Sequence, residues 1–193
     1  MNERKTNLVT PFASLGTAVL GGGILGALTN AVNGRVSPLY FQRVMRWDDV
    51  EDIASATIAQ GIFEGLLMGL FLGLVFVVSV SAISKLRADI IEALALLGKI
   101  FGSAFIVWII GGLLAIGLAI LSPEFYRSAL IGVPEETELL LPYAWVGGSI
   151  WGIQFGGFVL LVVWLVVFAI QFKSKSKSEQ GGGGNVASRR ATP

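Results

Sequence analysis

Four stretches of the chain are apolar almost without interruption, and polar residues collect in short clusters between them. Each stretch reaches about 20 residues or more, the length an α-helix needs to cross the hydrocarbon core of a bilayer. The pattern predicts an all-α, polytopic membrane protein: a four-transmembrane-helix bundle over residues 1–172, with spans at about 8–28, 61–84, 100–121 and 144–172. A short interfacial helix is expected in the loop after the first span. Residues 173–193, KSKSKSEQGGGGNVASRRATP, lack apolar periodicity and are expected to form a disordered cytoplasmic tail whose lysines attract anionic lipid.

The polar clusters carry start and stop signals. Thr10 before Pro11 suits the start of the first span, and Asn33 with Gly34 suits its end. The first apolar run is longer than a signal-peptide core and no A-x-A site follows it, so a retained span is expected. WDDVEDI offers the second helix an acidic first turn, so its helical periodicity begins before Gly61. Asp89 and Glu92 have capping-box spacing ahead of the third span, and Lys99 is placed to snorkel to the interface. Only SKLRA joins the second and third spans, which predicts that they pack as antiparallel neighbours.

Composition narrows the chemistry. The chain is 54% hydrophobic and 14% charged, with no cysteine and no histidine. That removes disulfides, thiol nucleophiles, histidine-based triads and the usual zinc, copper, haem and iron–sulfur ligands. The net charge of +1 is not gathered into a basic face, so no nucleic-acid partner is expected. With both termini cytoplasmic, the inner segments hold ten basic residues (Arg4, Lys5, Lys85, Arg87, Lys99, Lys173, Lys175, Lys177, Arg189, Arg190) against four outside (Arg35, Arg43, Arg46, Arg127). This bias favours both ends inside a bacterial cytoplasmic membrane.

Glycine recurs at every fourth position of the second span, at Gly61, Gly65, Gly69 and Gly73, and in the fourth at Gly148, Gly152 and Gly156. Ser14, Ala18, Gly22 and Gly26 repeat the spacing in the first span. Such glycine-zipper stripes let helix backbones approach closely where the bilayer supplies no hydrophobic drive for association. They serve packing within the bundle or between copies of it.

Glu64 stands among leucines beside the second-span stripe. At 3.6 residues per turn it shares a face with Thr57, Gly61 and Met68, so the carboxylate points toward a neighbouring helix. Counting back about 20 residues from Ile83 places it at the outer edge of the hydrocarbon, within reach of Arg35 or Arg43. An ionisable group inside a span marks an ion or proton path, or an interfacial carboxylate held by hydrogen bonds. Both readings stay open, and Gln60, Gln154 and Asn30 join Thr57 and Glu64 as a candidate intramembrane polar site.

The first outer loop holds Ser37, Pro38, Tyr40, Phe41 and Trp47, which suit a short helix with Pro38 at its first position, lying on the outer leaflet. The third span ends in the related string Ser122-Pro123-Glu124-Phe125-Tyr126, as if two helical hairpins repeat in one orientation. The SPLYF loop between two glycine-rich spans also resembles an uncharacterised group of small bacterial four-span membrane proteins whose loop reads SP-x-YF. The likeness covers roughly residues 20–80 and implies no activity. Where that group has glutamate after the proline this chain has Leu39, and Glu124 supplies it only in the second loop.

Asp48, Asp49, Glu51 and Asp52 lack an EF-hand arrangement and read as helix-capping residues, so no metal and no cofactor is expected. Two functional readings follow. The chain is a non-catalytic structural or accessory subunit, meeting a protein partner or a second copy through its glycine-striped helices and surrounded by membrane lipid. Alternatively, it is an ion or small-solute channel or transporter with Glu64 near the path. An enzyme acting through carboxylates on lipid is the remaining class.

Overall fold

A computed structural model describes residues 8–188, with side chains described as far as Lys175. Among the described residues six helices follow one another: α1 (Val9–Val36), α2 (Pro38–Met45), α3 (Ile53–Ser84), α4 (Ile90–Leu121), α5 (Pro123–Ala129) and α6 (Thr137–Ser188). Four of them, α1, α3, α4 and α6, are long and apolar enough to cross a membrane. The short helix α2 follows the first of these, as the Ser37-Pro38 signal predicts.

Each long helix extends beyond its apolar run. α3 and α4 have 32 residues each, about 48 Å of helix against a hydrocarbon core of about 30 Å. α3 starts at Ile53, where the N-cap Asp52 accepts a hydrogen bond from Ser55 N at 3.0 Å; the other acidic residues of the cluster precede the helix, so the acidic first turn expected there is not formed. α1 does not stop at Asn33 and Gly34. Both are buried, and Gly34 lacks a Cβ because the Thr57 side chain occupies that space. This glycine serves close approach, and the helix ends only at Ser37, the residue before a proline. Asp89 is the N-cap of α4 without a side-chain cap bond; Glu92 turns instead to Lys175, at 2.8 Å. α6 carries Pro142 in its second turn, and its backbone continues as helix from Lys173 to Ser188, where an unstructured tail is expected from composition. No proline separates the two segments, and the helical backbone runs on through the four glycines at 181–184, which are poor helix formers.

Packing divides the molecule into two hairpins. α1 lies along α3, and α4 lies along α6; contacts between the pairs are sparser and run mainly from α1 to α4 and from α3 to α6. The second and third spans, α3 and α4, do not form a packed pair, contrary to what their five-residue connection (85–89) predicts. A short turn fixes only the ends of two helices. Glycines decide the faces: a Cβ on Gly61 would strike the Gly26 carbonyl, one on Gly65 or Gly22 the opposing backbone, and one on Gly69 the Ala18 carbonyl. With its small-residue face against α1, α3 has little left for α4.

The two hairpins repeat one design. Ser37 and Ser122 adopt nearly the same backbone conformation (φ −146°, ψ 88° and φ −148°, ψ 74°). Each donates its N–H to the carbonyl four residues back, at 3.0 and 2.9 Å. Gly26 and Gly111 stand eleven residues before these serines. A Cβ on Gly61 would meet Gly26 O and Asn30 Cβ, and one on Gly148 would meet Gly111 O and Ala115 Cβ, the matching atoms of the second hairpin.

At the α2 end, aromatics turn inward. Tyr40 and Phe41 are buried against Tyr143 and Val146 of α6, and Phe41 stacks on the half-buried Trp47 with centroids 6.2 Å apart. The sequence expectation has these rings facing the leaflet; burial on α6 offers them contacts that lipid would not order. Arg43 ties this end to the second hairpin by donating to Gly132 O at 3.0 Å. Gly132 has φ +71°, and a Cβ there would crowd Arg43 and Tyr143. At the opposite end Thr10 Oγ1 donates to Ala88 O at 3.3 Å, fastening the start of α1 to the α3–α4 turn.

Candidate functional site

Where the two hairpins meet, α1, α3, α4 and α6 surround a cavity of about 140 Å³. A void of that size holds a molecule about as large as benzene. Toward the α3–α4 turn its wall is apolar, formed by residues such as Phe76, Leu97, Ile100, Phe101 and Leu161. Toward α2 it becomes polar: Thr29, Asn30 and Asn33 come from α1, Glu64 from α3, Trp108 from α4 and Gln154 from α6. The small-residue stripe from Ala18 through Gly22 and Gly26 on α1, with Gly61 to Gly73 on α3, forms one side of it. These positions give the cavity its width, since any side chain there would fill it.

Glu64 is half-buried and Gln154 exposed, so the polar end is also the accessible one. Gln60 Nε2, one turn before Glu64, donates to Glu64 Oε1 at 2.8 Å. Neither arginine expected near Glu64 reaches it: Arg35 bonds Ala31 O at 2.7 Å, and Arg43 bonds Gly132 O. Tyr40 on α2 lies close enough that the Glu64 charge adds to burial in raising its phenol pKa. The carboxylate therefore has one amide donor, a neighbouring phenol, and no salt bridge among the described residues.

The structure brings Asn30, Glu64 and Gln154 of the expected polar site to one cavity and leaves two members outside its lining. Thr57 is fully buried, bonds back to Ala54 O at 2.9 Å and packs on Gly34; it joins α3 to α1. Gln60 acts through Glu64. Two lining residues escaped the sequence reading. Asn33 is completely buried, and Ser149 Oγ lies 3.2 Å from its Oδ1. The same hydroxyl is 3.0 Å from Val146 O, and its single proton serves one acceptor at a time. Asn33 Nδ2 has no partner, and neither does Trp108 Nε1, also buried. Asn33 shares a face with Asn30 three residues earlier, a signal masked by its position in an Asn-Gly pair. Trp108 looks like any apolar residue of a span.

The repeat makes the polar end more telling. Matched through Ser122 and Gly148, Asn30 corresponds to Ala115, Asn33 to Leu118 and Glu64 to Trp151. The second hairpin reproduces the packing of the first without its polar groups, so packing does not require them. Among the described residues no three acidic side chains gather as a metal-ligand set. Comparison with protein-family models, curated proteins and solved structures finds no match to the chain.

Proposed function

We propose that the protein takes a small solute into the cavity between its hairpins and passes it across the membrane, as a channel or transporter with Glu64 near the path. The observation that carries this reading is the lining itself: among the described residues, Glu64 is the single charged one on a cavity between two helix pairs. An ionisable side chain inside a spanning helix is costly and is retained where it faces an aqueous or ligand-filled interior. Sites at the interface of two structural repeats are the common layout of membrane carriers. In this reading the ends of α2 and α5 face outward, and both termini lie on the cytoplasmic side of a bacterial membrane, as the basic residues favour.

A structural or accessory subunit is the rival reading. Gly22, Gly26, Gly61, Gly65, Gly111, Gly148 and Gly152 already meet facing backbone inside the hairpins, so these stripes leave no free face for a partner or a second copy. Association would have to use exposed apolar side chains such as Phe12, Phe71 and Phe155, which equally suit lipid.

Proteoliposomes carrying the full chain or Glu64→Gln, offered labelled sodium, potassium and methylammonium, test the proposal. Uptake above protein-free vesicles, abolished by the substitution, is expected. No uptake, with a foreign subunit held at fixed stoichiometry in native mass spectra of gently extracted protein, would transfer the assignment to the rival.

A further inference from the structure

Resting on that reading, we propose that the solute is a small organic ammonium ion, with an apolar body about the size of benzene and one protonated amine, rather than a bare metal cation. Four features of the cavity converge on this chemistry. Its volume, about 140 Å³, fits such a body and excludes a whole lipid. Its wall toward the α3–α4 turn is apolar, so the body gains there what a hydrated inorganic ion would lose by shedding water.

The oxygens at the polar end are too few for a metal. Hard divalent cations take six to eight oxygen ligands. Here Glu64 Oε1 already accepts from Gln60, and the Thr29 hydroxyl bonds back to Leu25 O and Gly26 O at 2.9 and 3.2 Å. Ser149 is within hydrogen-bond distance of Asn33 Oδ1. What remains is the second Glu64 oxygen with the Asn30 and Gln154 amides, a set that matches the three N–H donors of one ammonium group.

The fourth feature is unmet hydrogen bonding. Asn33 Nδ2 and Trp108 Nε1 are buried donors without a partner, on residues that line the same cavity. Buried donors are almost always satisfied, and both of these are enclosed by protein on residues whose other atoms line the cavity. A small turn of either side chain toward the cavity brings its donor to a hydroxyl or ether oxygen on the solute, or to a water that enters with it. The repeat-related positions, Leu118 for Asn33 and Gly23 for Trp108, carry no side-chain donor, so the site is single and lopsided.

Calorimetric titration of the full-length protein in detergent with benzylammonium and with neutral benzyl alcohol is the direct test. Saturable binding of benzylammonium, about tenfold or more tighter than benzyl alcohol, is expected from a charge-assisted hydrogen bond to a half-buried carboxylate. Glu64→Gln should remove the preference while retaining weak benzyl alcohol binding, which shows that the variant is folded, and Glu64→Asp should restore part of it. Equal affinity for the two probes, or a preference that survives Glu64→Gln, overturns the proposal. Metal-ion uptake by proteoliposomes without benzylammonium binding also overturns it, while leaving the transport reading intact. Benzylammonium binding without uptake supports the ligand class and removes transport.

Discussion

Gln60 and Glu64 stand one turn apart on α3, and the Gln60 amide donates to the Glu64 carboxylate at 2.8 Å. The pair is built within one helix, so it persists however the two hairpins move. Gln60→Leu would leave the carboxylate without this donor. The net value of such a bond is about 1 kcal/mol once half-exposure is allowed for. Unfolding in bicelles should show a loss of that order; an unchanged curve would mean that water already serves Glu64 in its place.

Gly61→Ala places a methyl group against the Gly26 carbonyl. α1 and α3 must then separate along much of their length, at a cost of about 1–3 kcal/mol for overpacking. Gly117 has nothing within reach of an added Cβ, so Gly117→Ala should be neutral or stabilising by up to about 1 kcal/mol through helix propensity. Equal destabilisation at both positions, measured by thermal unfolding, would contradict the assignment of Gly61 to the helix contact.

How far the fold could be read in advance depended on range. The spans follow from hydropathy, and the starts of α2 and α3 follow from Pro38 and Asp52, because these signals act over one turn. The partner of each helix was not legible. Four-residue glycine spacing says that a backbone comes close but not whose, and the short turn from Lys85 to Asp89 suggested the wrong pair. Glu64, Asn30 and Gln154 stood out as polar residues in apolar runs, yet their convergence depends on how the two hairpins face each other. Asn33 was hidden because Asn-Gly also reads as a helix end.

Asn33 and Ser149 invite a paired experiment. Ser149→Ala takes the neighbouring hydroxyl from Asn33 Oδ1, on a fully buried amide whose Nδ2 already has no partner, and should cost about 1–3 kcal/mol. Ser149→Ala combined with Asn33→Leu removes the whole polar contact and should recover most of that loss, while weakening benzylammonium binding. A double variant less stable than either single one would show that Asn33 is needed for the fold itself.

Tyr126, on α5, is 1% exposed, and burial, helped by the nearby Tyr40 and Tyr143 phenols, pushes its hydroxyl up to about 12. A pKa raised on folding means that the native state holds the proton more tightly. The resulting stability is complete below the unfolded value of about 10 and is lost as pH rises through about 12. Unfolding midpoints should fall over that window, and Tyr126→Phe should flatten the fall. A variant with the same alkaline slope would assign the effect to other groups.

The doubled hairpin also bears on how the chain can be divided. Each half carries its own serine–proline corner and its own backbone contact, at Gly26 with Gly61 and at Gly111 with Gly148, and only five residues join them. The chain is laid out as two helical hairpins of one packing design in a single reading frame. The second half keeps that packing without counterparts of Asn30, Asn33 and Glu64, so the backbone contacts of each half do not depend on the polar groups. Encoding the halves as separate polypeptides divided between Lys85 and Asp89 should therefore yield a reassembled particle, recovered by a tag on either fragment.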